Sequence, residues 1–240
     1  MKKPKGANRG ATAEALEAFA SRWGFDADSA RMRTALTHKS AAASSPHNNE
    51  RLEFLGDAVL SALVAAFLLE SLPDVTEGTL SRARAQLVRR ETLAAAARMH
   101  GIETLLYMSA SEEKLGGRKR DSLPADAYEA LVGALYLDHG EEAARRFILA
   151  TLREPMASVA AAPPEPDPKT HLQILLQAQG RGLPTYRTVA ETGKDHELHF
   201  VEEVLVNGES LGNGEGVSKR QAQIRAARVA IAALTGSPPV

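Results

Sequence analysis

The chain has 240 residues, 44% hydrophobic and 25% charged, a balance that allows two modest globular cores. It contains no cysteine, which excludes disulfides, thiolate metal centres and cysteine nucleophiles and is compatible with a reducing compartment. The formal net charge of −1 does not suggest a nucleic-acid partner, so any such reading must rest on local patches.

The first residues, MKKPKGANRG, are basic, but ATAEALEAFASRWG follows with acids and without the continuous apolar stretch of a secretory signal. Apolar residues recur at three and four spacing over residues 12–22, 48–70, 79–97, 125–137 and 141–152, which predicts an all-α segment. Its longest apolar run, from Ala58 to Leu69, is interrupted by Ser61 and too short to span a bilayer. The expectation is a soluble, cytoplasmic protein with no membrane segment.

Residues 154–168, EPMASVAAAPPEPDP, carry five prolines, a composition that favours an extended connector. The predicted organisation is therefore a helical domain over 1–153, a Pro/Ala-rich linker over 154–167 and a second domain over 168–236. There the period changes. A helix near 169–179 precedes the strand-like pieces TYRTVAET, ELHFVEEVLVN and GESLGNG, and a helix follows from about 218 to 234. The second domain is thus a small α+β unit of order α-β-β-β-α.

Within HNNERLEFLGDAVL, Glu50, Glu53 and Asp57 stand at i, i+3 and i+7, within about 60° of one another on a helix. Acids at a helix start can simply complement the macrodipole, with Asn48 or Asn49 as N-cap, and Glu50 fits that reading. Asp57 does not: it lies two turns in, beside Gly56, on a helix so apolar on most sides that it should be largely buried, and a buried carboxylate needs a cation or several donors. Asp126 and Glu129 in LPADAYEALVGALYLD repeat the pattern at i, i+3, with Pro124 suited to the first turn. Convergence of the two helices would gather four or five carboxylates, and hard oxygen ligands without His or Cys select Mg²⁺ or Mn²⁺. Two other readings stay open on spacing alone: a di-iron bundle, which wants Glu-x-x-His, and a buried ion network with Arg51, Arg82 or Arg84.

The stretch GNGEGVSKRQAQIRAARVAIAAL sets glycines and a serine cap before a helix whose charged residues, Lys219, Arg220, Arg225 and Arg228, are all basic. Its amino end reads as a phosphate site, although a lone basic helix is often only a solvated face. It is not a Walker A loop, because Ser218 precedes Lys219. Gln173 and Gln177, one helical turn apart, and Lys194 and His196 in the turn ETGKDHELHF offer two more contact regions. Three such regions suit the shallow minor groove and phosphates of duplex RNA better than B-DNA.

HNNERLEFLGDAVL resembles the signature of the ribonuclease III family, and the likeness extends in order through ALTHKS (35–40), EGTLSRARAQLV (77–88), LGGRKRDSL (115–123) and ADAYEALVGALYLD (125–138). From DPKTHLQ to the final AAL the tail is similar to a double-stranded-RNA-binding domain. The resemblance implies a homodimeric, Mg²⁺-dependent endonuclease, with Mn²⁺ able to substitute and no organic cofactor. It would hydrolyse both strands of double-stranded RNA to 5′-phosphate and 3′-hydroxyl ends with short 3′ overhangs, processing rRNA precursors and other structured transcripts. Carried over by position, it implies Glu53, Asp57, Asp126 and Glu129 as metal-site acids, with Asp57 and Glu129 most critical for turnover. Glu50 and Glu77 match accessory acids of the wider cleavage assembly, and Thr170, Gln173, His196, Lys219 and Arg220 match RNA-contacting positions. Leu115, Pro124, Ile174 and Gln223 depart from the family pattern without removing a metal acid, and Ile174 puts one minor-groove contact in question. The alternative from another class is a non-catalytic double-stranded-RNA-binding protein.

Overall fold

The computed structural model describes residues 11–26, 28–42, 47–193 and 197–236. They fall into two compact units that divide between Pro164 and Glu165.

The first unit is helical: α1 (Ala13–Trp23), α2 (Ala30–Ala35), α3 (Glu50–Ser71), α4 (Glu77–Val88), α5 (Arg90–Met99), α6 (Ile102–Leu105), α7 (Ala110–Lys114), α8 (Ser122–Thr151) and α9 (Arg153–Ala161). Hydroxyl caps start several of them: Thr12, Ser29, Thr76 and Ser109 each accept from a backbone N–H in the first turn. The two long central helices, α3 and α8, pack along each other. By length and composition α3 could pass for a membrane span, which the shorter apolar run in the sequence understated. It is a core helix, burying Leu52, Leu60, Leu63, Val64 and Leu68.

Two expectations about this unit need correction. The periodic run over 79–97 is two helices, because Arg89 between them is extended (φ −67°, ψ 151°). The break is stabilised by Arg89 Nε donating to Thr92 Oγ1 (3.2 Å) and by the Thr92 hydroxyl donating to the Gln86 carbonyl (2.8 Å). The expected helices over 125–137 and 141–152 are both present as the two halves of α8, separated at Gly140, whose φ of 79° leaves the helical region. The second correction concerns the linker drawn over 154–167: α9 occupies its first half and buries Met156 and Val159 in the helical core. Pro155 stands in the first turn of α9, where its missing N–H costs nothing.

The second unit runs α10 (Pro168–Ala178), β1 (Thr185–Thr192), β2 (His199–Val206), β3 (Glu209–Gly216) and α11 (Lys219–Thr235). The strands form an antiparallel sheet in the order β1-β2-β3, with register irregularities at Thr188/Ala190 and Val204/Leu205. Leu172, Leu176, Val204, Val206, Ala226, Ala227 and Ala230 form the core. The glycines of β3 explain how α11 fits: a β-carbon on Gly214 would meet Ala226 N at 2.2 Å, and one on Gly212 would meet Ala230 N at 3.1 Å. These glycines admit a helix against the strand.

Candidate functional site

The start of α3 is fixed by its neighbours. Asn49 N–H donates to the Thr37 carbonyl (2.9 Å), while the Asn48 side chain accepts from Glu50 N (3.1 Å) and so provides the cap. Thr37 is bridged in parallel to Tyr107, and His38 N–H donates to the Tyr107 carbonyl (2.8 Å). The start of α8 is held by Arg98, which pairs with Asp121 at 2.8 Å and donates to the Lys119 carbonyl at 3.0 Å.

Between these anchored ends α3 and α8 meet backbone to backbone. Gly56 and Gly133 stand where a β-carbon would lie 1.7 Å from the Glu129 carbonyl oxygen and 2.4 Å from the Leu52 carbonyl oxygen, respectively. Residues one helical turn away on each helix are thereby drawn together. Glu53, Asp57, Asp126 and Glu129 line one cleft of about 540 Å³ with Phe54, Ala58, Ala125 and Arg90. Asp57 is exposed there, a correction to the burial expected of it, because its side of α3 faces the open cleft, while the other three acids are half-buried.

The carboxylates act on one another. Burial, then the charges of Asp57, Glu53 and Asp126, push Glu129 up to about 8, so it carries a proton at neutral pH when no cation is bound. Burial and then Asp126 and Glu50 raise Glu53; burial raises Asp126, opposed by the nearby charges of Arg90, His38 and Lys39. His38 is lowered by its burial and by Lys39.

Among the described residues no ion pair within 4.0 Å joins Arg51, Arg82 or Arg84 to these four acids. Nor do three or more carboxylate or imidazole groups close into a ligand cage by themselves. The lining carboxylates are hard oxygen donors, a set that fits a small hydrated divalent ion that keeps several waters and takes only one or two carboxylates at once. Glu50 lies outside the cleft lining: it is exposed and accepts from Lys39 Nζ at 3.1 Å, which holds its carboxyl below the usual range. Glu77 is elsewhere too, beside Leu80 and Arg84, accepting from the Ser81 hydroxyl at 2.6 Å.

In the second unit Thr170 and Gln173 are exposed on α10, with Ile174 41% exposed beside them. Lys219 and Arg220 are exposed in the first turn of α11, where the Ser218 hydroxyl accepts from Gln221 N (3.2 Å) and the Gln221 side chain accepts from Val217 N (3.0 Å). Lys219 lies 3.7 Å from Glu191 and over the Phe200 ring. Lys169 Nζ donates to Gln223 Oε1 (2.7 Å), tying the start of α10 to the first turn of α11. Lys194 and His196 lie outside the described residues.

Sequence reasoning missed Arg90 and the glycine pair. Arg90 was hidden inside an apparently continuous helix; Gly56 and Gly133 could have been flagged, since glycine inside an apolar helix costs about 1 kcal/mol without a packing reason.

An acid-lined cleft in a helical unit, followed by a small α+β unit with cations at a helix start, has the chemistry of an enzyme that handles nucleic acid. The comparisons specify which kind. Residues 28–156 match the ribonuclease-III-like family and residues 168–234 the double-stranded RNA binding motif. The chain is 45% identical to Ribonuclease 3 of Pseudomonas fluorescens (strain SBW25), over 86% of its length and 90% of that protein. It is 43% identical to Ribonuclease 3 of Xanthomonas axonopodis pv. citri (strain 306), over 87% and 91%. A solved structure of the nuclease domain of ribonuclease III from Campylobacter jejuni aligns with a TM-score of 0.55 and 36% identity, covering 58% of this chain and 96% of that one. The chain belongs to the ribonuclease III family.

Proposed function

We propose that the protein is an endoribonuclease that hydrolyses both strands of double-stranded RNA with a divalent cation held at the acid cleft. The observation that carries this is the convergence of Glu53, Asp57, Asp126 and Glu129 from α3 and α8 on one cleft, with Glu129 pushed up to about 8 by its burial and its neighbours. Clustered acids that are this costly to ionise together call for a cation. Mg²⁺ is the ion, with Mn²⁺ as a substitute, because the donors are all carboxylate oxygens. When bound, such an ion supplies Lewis-acid polarisation of the phosphate and a water nucleophile at neutral pH.

The residues of the chain do the rest. Asp57 and Glu129 are the acids on which turnover depends, Glu53 and Asp126 complete the oxygen set, and Glu50 and Glu77 act outside the cleft in the wider assembly. Attack by water on phosphorus spares the 2′-hydroxyl and leaves 5′-phosphate and 3′-hydroxyl ends. Thr170, Gln173, His196, Lys219 and Arg220 hold the duplex from the second unit, whose described contact residues among these are exposed. One cleft per chain and two strands to cut argue for a homodimer. In support, the first unit exposes Phe54 (82%) and Leu69 (64%) on α3 and Leu137 (47%) on α8. The C. jejuni structure, by its description, concerns a region involved in dimer formation of that nuclease domain. The setting proposed is the cytoplasm, with rRNA precursors and other structured transcripts as substrates.

The test is a labelled long RNA duplex incubated with Mg²⁺, with Ca²⁺ and with chelator, followed by analysis of the ends. Cutting in Mg²⁺ alone, with 5′-phosphate products, is the expected result; binding without cutting under every condition would leave only an RNA-binding protein.

A further inference from the structure

The acid cleft has a basic member that no reading of the acids uses. Among the described residues lining the cleft, Arg90 supplies the positive charge. It is the first residue of α5, and it reaches this place because Arg89 is extended, so that α5 starts in a new direction from α4. The Arg89–Thr92–Gln86 hydrogen bonds hold that break, which makes the position of Arg90 a built feature of the backbone.

Several other cations near the two helix starts are taken: Lys39 pairs with Glu50 at 3.1 Å, Arg98 with Asp121 at 2.8 Å and Arg118 with Glu113 at 2.8 Å. Arg90 makes no ion pair within 4.0 Å with any described residue, and it is exposed. Its charge nevertheless reaches Asp126 and Glu129, whose carboxyls it helps to ionise. A guanidinium at the lip of a carboxylate cleft, facing the acids without docking on one, keeps its fork of donors available to another anion.

We propose that Arg90 binds a non-bridging oxygen of the RNA phosphate that enters the cleft beside Glu53, Asp57, Asp126 and Glu129. This rests on the reading of the cleft as the place of cleavage. An RNA phosphate approaching four carboxylates is repelled unless cations intervene, and a protein cation at the mouth lowers that cost. Negative charge grows on the phosphate oxygens as water attacks, so a guanidinium beside them stabilises the transition state more than the bound substrate. A cation that only balanced the acids would behave in the opposite way, competing with the metal and slowing its entry.

The experiment compares the full-length protein with Arg90→Lys, Arg90→Gln and Arg90→Ala. The first readout is the single-turnover cleavage rate of duplex RNA in Mg²⁺ at saturating enzyme. Arg90→Gln and Arg90→Ala should lose at least about tenfold, less than the roughly hundredfold that removing an enclosed charge-stabilising donor costs because Arg90 is exposed, and Arg90→Lys should recover part of it. The second readout needs no turnover: the slope of log affinity for the same RNA against log salt, in Ca²⁺, should fall by about one unit in Arg90→Gln for one lost phosphate contact. Because Arg90 is exposed, the thermal midpoint should stay at the wild-type value. Wild-type rate and wild-type slope in Arg90→Gln would overturn the proposal, and so would faster cutting at lower Mg²⁺, the mark of a mere counter-ion. Absence of cutting by the wild-type protein would instead overturn the function proposed above, and the salt slope would still decide whether Arg90 meets a phosphate.

Discussion

A β-carbon placed on Gly56 would lie 1.7 Å from the carbonyl oxygen of Glu129, so the helix that carries two of the cleft acids touches the backbone of a third. Gly56→Ala is therefore a test with a definite sign. Helix propensity alone favours alanine by about 1 kcal/mol, whereas forcing α3 and α8 apart should destabilise the protein by roughly 3 kcal/mol or more. Gly133→Ala, whose β-carbon would lie 2.4 Å from the Leu52 carbonyl oxygen, should act alike. Thermal denaturation decides the matter; a raised midpoint would mean that the helices are not in contact there.

Glu129 makes stability depend on pH in a predictable direction. Its carboxyl is raised from an ordinary 4.5 to about 8, so the native chain holds a proton that the unfolded chain has lost between those values. That contribution is whole below 4.5 and vanishes as pH rises through 8. Metal-free protein should lose stability from pH 6 to 8.5 by on the order of 1–3 kcal/mol, less than the raised value implies because the cleft is open to water. Mg²⁺ should oppose the loss, and Glu129→Gln should flatten the metal-free curve. Calorimetry at several pH values, with and without Mg²⁺, checks both.

Glu129→Ala should keep affinity for duplex RNA and abolish cutting, since the contacts assigned to RNA in the second unit are remote in sequence from the acid. Gel-shift and cleavage assays on the same preparation separate the two effects. Cutting at near wild-type rate would remove Glu129 from its assigned role.

Where the chain can be shortened follows from α9. Truncation after Leu152 discards the buried Met156 and Val159 and should cost the first unit about 2–4 kcal/mol. Truncation after Pro164 should spare its stability and weaken RNA binding most at physiological salt, where phosphate contacts are already screened. Denaturation midpoints and RNA affinities of the two truncated chains test this.

In the second unit the Glu202 carboxylate is 1% exposed and accepts from the Thr188 hydroxyl and from Gln223 Nε2 (2.9 Å). Gln223→Ala removes one of these donors and also frees Lys169, and should destabilise the unit by about 1–3 kcal/mol. Faster hydrogen exchange at the β2 amides, with α3 and α8 unchanged, would be the sign.

The two-unit organisation was legible because periodicity is a local property: the change from three-and-four spacing to alternation marks the passage from helices to sheet. The acids were legible for the same reason, Glu53 with Asp57 and Asp126 with Glu129 each sharing a helix face. Breaks were less so. Arg89 continues the apolar rhythm of its neighbours yet is extended, and the prolines around α9 suggested a connector where a helix could begin at Arg153 and bury two side chains.

By itself, the sequence determined the class of each unit, the pairing of acids on two helices and the family, since these follow from residue type and spacing. Only the tertiary structure decided that α3 and α8 cross at Gly56 and Gly133, that their four carboxylates share a cleft, and that Arg90 stands beside them. The physical reason is range: helical pattern is set within a few residues, whereas the electrostatic burden on Glu129 exists only when side chains more than seventy positions apart come together in one cleft.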